Sequence, residues 1–348
     1  MQSGRTVRFW HVSLLVAVLM FVDVAGAKAL LQLTLAQDST TSTMASFTSV
    51  LATCLLLSIL VGSSAFSAST SKNDAALVQS YTLYDNERQI LGCCDEVRPS
   101  TKTRDDDEEE DEVEMFYATT KRYFMFPTSG GDDKLLQIRQ TSFGCGRLGA
   151  TVWPSAIALA SLLAGDKYRS SIQDKRVLEL GSGCGLPTLT AKEVCGSQVL
   201  ATDYWEGREG LIVGNRLVPK ELFGVNLAYN VGCEPQNLDW HDELSVFSVS
   251  TNFKPDIIVG SDLVYYPDDT EPLLQTLDIL LKNGGGGQSM LLILPLPPTA
   301  EREALPDFRR RLESGVGDKD VVMDELEMII RSASTNEEEI HNFLRIRI

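Results

Sequence analysis

The chain has 348 residues and a formal net charge of −17, nine units of which sit in one acidic run at residues 105–114 broken only by Val113. Outside that run the balance is about −8, ordinary for a small acidic domain, and no basic face is segregated, so no nucleic-acid partner is expected. Seven cysteines with no repeated spacing and no CxxC pair speak against a disulfide framework, and His11, His241 and His341 offer no zinc-ligand spacing, so no metal is expected.

Residues 1–70 have the composition of targeting segments. Arg5 and Arg8 precede an apolar run at 12–24 that ends in Ala25-Gly26-Ala27, the order of a secretory signal. A second pattern opens at Met44, with an apolar core at 50–61 and a Ser63-Ser64-Ala65-Phe66 junction. Neither core reaches the roughly 18 residues of a spanning helix. The Ser-Ala-Phe junction and the hydroxyl-rich 67–71 resemble the bipartite presequences of algae with secondary plastids. Secretory-route or plastid targeting is therefore the expectation, with a signal anchor contacting a membrane as the alternative. Met44 is an alternative start, and a chain without residues 1–66 would leave the domain cytoplasmic.

Residues 71–134 are expected to be poorly structured, with 105–114 a solvated acidic linker. A short helix and strand at 75–91 and an edge strand at 117–126 are the ordered pieces the pattern allows. From residue 135 to 348 the pattern changes to that of a folded domain. Strands are predicted at 135–138, 176–180, 198–202, 237–240, 256–260 and 289–296, and helices at 153–163, 186–194, 220–230 and 271–281. A helix at 300–312 and a strand pair at 321–330 and 342–348 close the chain. Apolar strands alternating with helices predict an α/β doubly wound sheet, mostly parallel, with seven strands counted from 176 and an antiparallel terminal member. In such sheets ligands bind at the carboxyl ends of the strands.

Three sets of residues fall at those ends. Gly181-Ser-Gly183-Cys-Gly185 follows the first strand and opens a helix, a spacing of GxGxG rather than the GxGxxG of dinucleotide sites. Glycines let the backbone approach a ligand, and the helix amides favour an anionic group. Asp203 ends the next strand, where a carboxylate can accept hydrogen bonds from ribose hydroxyls. Asp262-Leu-Val-Tyr265 ends the fourth. Taken singly, each is equally a turn, a helix cap or a half-buried side chain.

Together with Ile138-Arg-Gln140, Gly149-Ala-Thr-Val-Trp153, Asn226, Asn230 and Leu238-Asp-Trp240, these segments resemble, in order, the protein-lysine methyltransferases of family 16. That group holds the calmodulin-lysine and valosin-containing-protein-lysine enzymes. The resemblance implies a Rossmann-like seven-strand domain, S-adenosyl-L-methionine as cofactor and a protein lysine as methyl acceptor, acting as a monomer. It implies that Glu179, Gly181 and Gly183 hold the methionine part of the cofactor, with Trp153 and Ser261 beside it. Asp203 would bind the ribose, Asp239 and Trp240 would lie by the adenine, and Asp262 and Tyr265 would be catalytic at the acceptor end.

The insertion at 204–220, rich in glycine, departs from that pattern and is expected to be loop-like. The absence of an Asn/Asp-Pro-Pro-aromatic loop argues against a nucleobase methyltransferase, and the absence of a paired-glutamate loop against a protein-arginine methyltransferase. A small-molecule methyltransferase, or a noncatalytic cofactor-binding module, remains the alternative on the same scaffold.

Overall fold

A computed structural model describes residues 75–99, 120–128, 131–140, 148–204, 211–213, 216–218, 230–232, 234–283, 288–298, 300 and 302–348. The targeting segments expected at 1–70, the acidic linker at 105–114, Asn226 and nearly all of the helix expected at 220–230 lie outside the described residues.

The strands in chain order are β1 (Ala75–Asp85), β2 (Ile90–Pro99), β3 (Thr120–Phe126), β4 (Lys134–Gln140), β5 (Arg176–Leu180), β6 (Gln198–Asp203), β7 (Leu211–Val213), β8 (Arg216–Val218), β9 (Gln236–Asn237), β10 (Ile257–Ser261), β11 (Ser289–Pro295), β12 (Val322–Ser332) and β13 (Glu338–Arg347). Eleven of them form one sheet in the order β4-β3-β2-β1-β12-β13-β11-β10-β5-β6-β9, and β7-β8 form a separate pair. Chain direction explains the site. From β5 the chain builds outward through β6 to β9, then returns to start β10 on the other side of β5, which leaves a switch point between β5 and β10. The pairs β10–β11, β10–β5 and β5–β6 are parallel, and β13 runs antiparallel to both of its neighbours.

Alternation along the central strands supplies two apolar faces. Val177 of β5, Ile257 and Val259 of β10 and Ile293 of β11 face one layer, with α1 (Pro154–Ala164), α2 (Asp166–Ile172) and α3 (Leu186–Glu193). Leu178 and Leu180, Ile258 and Leu292 face the other, with α4 (Glu243–Phe253), α5 (Thr270–Asn283) and α6 (Leu305–Leu312). A strand covered on both sides shows continuous apolar character rather than alternation, which is why these strands are visible in the sequence. The doubly wound α/β reading therefore holds. No described helix is long and apolar enough to cross a membrane.

Two expectations are corrected. The sheet has eleven strands, not seven, because β1–β4 extend it beyond β12. Residues 71–134, expected to be poorly structured, contribute β1, β2 and β3. β1 pairs antiparallel with β12 from Gln79↔Ser332 to Asp85↔Leu326, so its stabilising partner lies some 250 residues away in the chain. Its own pattern is blurred, because apolar residues run together at 75–78 before Tyr81 and Leu83 turn inward. Smaller differences follow the same logic. Helix α4 was not expected, since its serines, valines and threonine are weak helix formers. Its start is fixed by Asp242, whose carboxylate accepts from the Leu244 amide at 3.0 Å. Inside the insertion at 204–220, expected to be a loop, β7 and β8 pair.

The added strands carry a polar knot. Arg122 of β3 donates from Nε and Nη2 to the Glu96 carboxylate at 2.9 and 2.7 Å, and from Nη2 to the Tyr81 hydroxyl at 3.1 Å. Its Nη1 reaches the Val152 carbonyl at 3.3 Å, next to Trp153. Burial pushes the Tyr81 phenol far above its ordinary range, whereas Arg122 and Tyr81 hold the Glu96 carboxyl below its own.

Candidate active site

β5 ends in a loop whose backbone conformation favours glycine. Gly181, Gly183 and Gly185 have φ of 58, 54 and 78°, the left-handed region that side chains resist. A Cβ on Gly181 would also stand 2.8 Å from Leu263. The loop is braced from β6: the Ser182 amide donates to the Thr202 carbonyl at 2.9 Å, and the Thr202 hydroxyl donates to the Glu179 carbonyl at 2.6 Å. At the end of β6 the Asp203 carboxylate accepts from the amides of Gly183 (2.8 Å) and Tyr204 (2.7 Å). The loop is tied also to β4. Asn230, buried, donates through Nδ2 to the carbonyls of Cys184 and Arg139, and accepts from the Arg139 amide, each at 2.8 Å.

The loop, the end of β6 and the end of β10 enclose one cavity of about 420 Å³. Gly181, Gly183, Asp203, Trp240, Ser261, Asp262, Tyr265 and Trp153 all line it. Trp153 sits at the start of α1, its indole N–H donating to the Leu148 carbonyl at 2.6 Å, and Pro154 follows in the first helical turn. Eight of the ten residues singled out in the sequence thus meet at one place.

Glu179 and Asp239 are the two outside. Glu179 is 1% exposed and turns toward α3, where its Oε2 accepts from the Thr188 amide at 2.9 Å and from the Thr188 hydroxyl. It therefore supports the glycine loop from beneath and does not line the cavity. Burial raises its pKa to about 8, against the lowering by its Thr188 hydrogen bonds. Its Oε1 has no partner among the described residues. Asp239 accepts from the His241 amide at 2.9 Å at the edge of the site.

Asp262 is 11% exposed at its side chain and has φ of 54°, a conformation that aspartate tolerates better than most residues. Its amide donates to the Ile293 carbonyl at 3.0 Å, which locks the turn to β11. Burial raises the Asp262 carboxyl above its ordinary value, and the neighbouring Arg302 opposes that rise. Arg302 is the residue that sequence reasoning missed. It lies 40 positions downstream, in a segment read only as helical, and no local spacing links it to Asp262. Tyr266 and Asp269, which also line the cavity, were missed because they fall just past the four-residue signature.

The chain matches a family model described as lysine methyltransferase over residues 131–294. The histone-arginine methyltransferase METTL23 of Rattus norvegicus is 30% identical over 171 residues, which is 46% of this chain and 68% of that relative. The chain belongs to the lysine methyltransferase family. Other relatives include METTL23 of Mus musculus, 31% identical over 163 residues (45% of this chain), and the protein-lysine methyltransferase METTL21E of Mus musculus, 33% identical over 144 residues (38% of this chain). This chain spans 57% and 52% of the length of those two relatives. The family match begins just before β4 and ends within β11, so β1–β3 lie outside it.

The cavity fits the cofactor such a family uses. It offers a glycine loop whose backbone can meet a ligand directly, an aromatic wall in Trp153 and Trp240, and a carboxylate at the end of β6. Added side-chain atoms on Gly181 would fill that space.

Proposed function

We propose that this chain is an S-adenosyl-L-methionine-dependent protein methyltransferase that methylates a lysine side chain. The observation that carries the reading is the meeting of Gly181, Gly183, Asp203, Asp262 and Tyr265 around one cavity at the switch point of the sheet. Bound there, the cofactor supplies a methyl group on a cationic sulfur that an amine can displace in line. The residues of the chain bind, align and desolvate. The glycine loop receives the methionine part, Asp203 the ribose hydroxyls, and Trp240 the adenine. Asp262 and Tyr265 receive the acceptor.

A free lysine is mostly protonated at neutral pH, with a pKa of about 10.4, and the ammonium form is not nucleophilic. A cavity walled by Trp153, Leu263 and Tyr265 and occupied by a sulfonium favours the neutral amine. The buried Asp262 carboxylate orients it. The chain acts as a monomer in this reading.

An arginine acceptor is the second reading, favoured by one finding: relatives in the same similarity range carry the name histone-arginine methyltransferase. Incubating the purified full chain with methyl-labelled cofactor and a protein extract, followed by acid hydrolysis and amino-acid analysis, separates the two. Label in methyl-lysine is the expected result. Label in methyl-arginine replaces the acceptor, and no cofactor binding by calorimetry defeats the proposal as a whole.

A further inference from the structure

The acceptor end holds a cation that neither the family signature nor the sequence pattern marks. Arg302 follows β11 and enters beside the Asp262 turn with only 14% of its side chain exposed. Its Nε and Nη2 donate to Asp262 Oδ1 at 3.3 and 3.2 Å, and Nη2 donates to Oδ2 at 3.2 Å. The centre of the guanidinium lies 4.1 Å from the centroid of the Tyr265 ring. One planar cation therefore touches both residues of the signature, gripping the carboxylate with its edge and the ring with its face. Lysine offers neither the forked edge nor the flat face.

We propose that Arg302 is a positioning residue for methyl transfer, which keeps Asp262 as an oriented carboxylate and fixes the Tyr265 ring beside it. The inference rests on the methyltransferase reading for its purpose, but its physical content stands by itself. Asp262 is buried, and a buried carboxyl tends to take up a proton and cease to attract an amine. Arg302 is the charged group among the described residues that offsets this. The other titratable groups around the same cavity are Asp203 from β6 and Tyr204 just after it, Asp269 from the turn before α5, Cys184 from the glycine loop, and Tyr265 and Tyr266 from Asp262's own loop. None of them supplies a positive charge. Arg302 is not itself among the residues lining the cavity, so it acts through Asp262 rather than on an acceptor directly.

The test is a pH titration of the Asp262 carboxyl by carbon-13 NMR in full-length protein labelled at aspartate, with Asp262→Asn identifying the resonance. Wild type is compared with Arg302→Met, Arg302→Gln and Arg302→Lys, and S-adenosylhomocysteine binding is measured on each by calorimetry. The expected result is a midpoint at least one pH unit higher in the Met and Gln variants, an intermediate value for Lys, and S-adenosylhomocysteine affinity within about twofold of wild type. The Gln variant keeps a polar side chain and answers the question if Arg302→Met does not fold. An unchanged Asp262 midpoint in a folded variant overturns the proposal. A raised Asp262 midpoint in the variants, together with wild-type protein that fails to bind S-adenosylhomocysteine, supports the positioning role and defeats the methyltransferase reading instead.

Discussion

Asp203 at the end of β6 and Gly183 at the end of β5 are joined by a single hydrogen bond, 2.8 Å from the glycine amide to the carboxylate Oδ2. One oxygen thus shapes the glycine loop while the same carboxylate faces the cavity. Asp203→Ala should weaken S-adenosylhomocysteine binding by at least tenfold in calorimetry, the loss of one or more charge-assisted hydrogen bonds. Asp203→Asn can still accept from Gly183 and should fall between the two. Affinity within twofold of wild type for the alanine variant would remove Asp203 from the ligand site.

Asp262→Ala should leave S-adenosylhomocysteine binding measurable and reduce methyl transfer to background, because in the proposed reading the residue meets the acceptor and not the cofactor. Transfer measured with labelled cofactor at the wild-type rate would take Asp262 out of the reaction.

Glu179 makes stability depend on pH in a direction opposite to that of most carboxylates. Its folded pKa of about 8 lies above the ordinary value of 4.5. Between those limits the unfolded chain has released a proton that the folded chain keeps, so stability falls as pH rises from about 4.5 to about 8 and levels off above. Glu179→Gln removes this slope while retaining an acceptor for Thr188. Urea unfolding at pH 5 and pH 8 should therefore show a loss in wild type that the variant lacks. Parallel curves would mean that Glu179 is ionised in its folded site.

Asn230 satisfies three backbone groups at once, from Arg139 and Cys184. Asn230→Ala should cost about 2–3 kcal/mol in denaturant unfolding, since buried backbone groups lose their partners. Asn230→Asp should do no better, because an oxygen would then face two carbonyl oxygens. A variant as stable as wild type would show that water replaces the side chain at no cost.

Gly92 of β2 is pressed against α1, where a Cβ would lie 1.9 Å from the Ser161 carbonyl oxygen. Gly92→Ala should destabilise the fold by about 1–3 kcal/mol or more, as overpacking against rigid backbone does. Thermal unfolding of this variant at the wild-type temperature would show that β2 does not pack on α1 as described.

The central strands and the cavity were legible for one reason: each leaves a local mark. Arg176–Leu180 and Ser289–Pro295 are short, largely apolar runs, the first stopped by Gly181 and the second by its own Pro295, and the glycines at 181, 183 and 185 stand together in the chain. What was not legible depends on distant partners. β1 is a strand because β12 offers it an edge, and Arg302 matters because folding brings it to Asp262. Glu179 lay in the right motif, but the alternation that points Leu178 and Leu180 to one face sends Glu179 to the other, toward Thr188. Applying strand periodicity to the motif residue itself would have located it.

The pairing of β1 with β12 bears on how the chain can be shortened for study. Cutting the chain just after the acidic run would discard β1 and β2, leave the outer rim of β12 with unanswered amides and carbonyls from Leu326 to Ser332, and detach the β3–β4 hairpin from its neighbours. Exposed strand rims recruit other chains. A soluble fragment should accordingly begin ahead of Ala75, where the sheet has its own first strand to close that side.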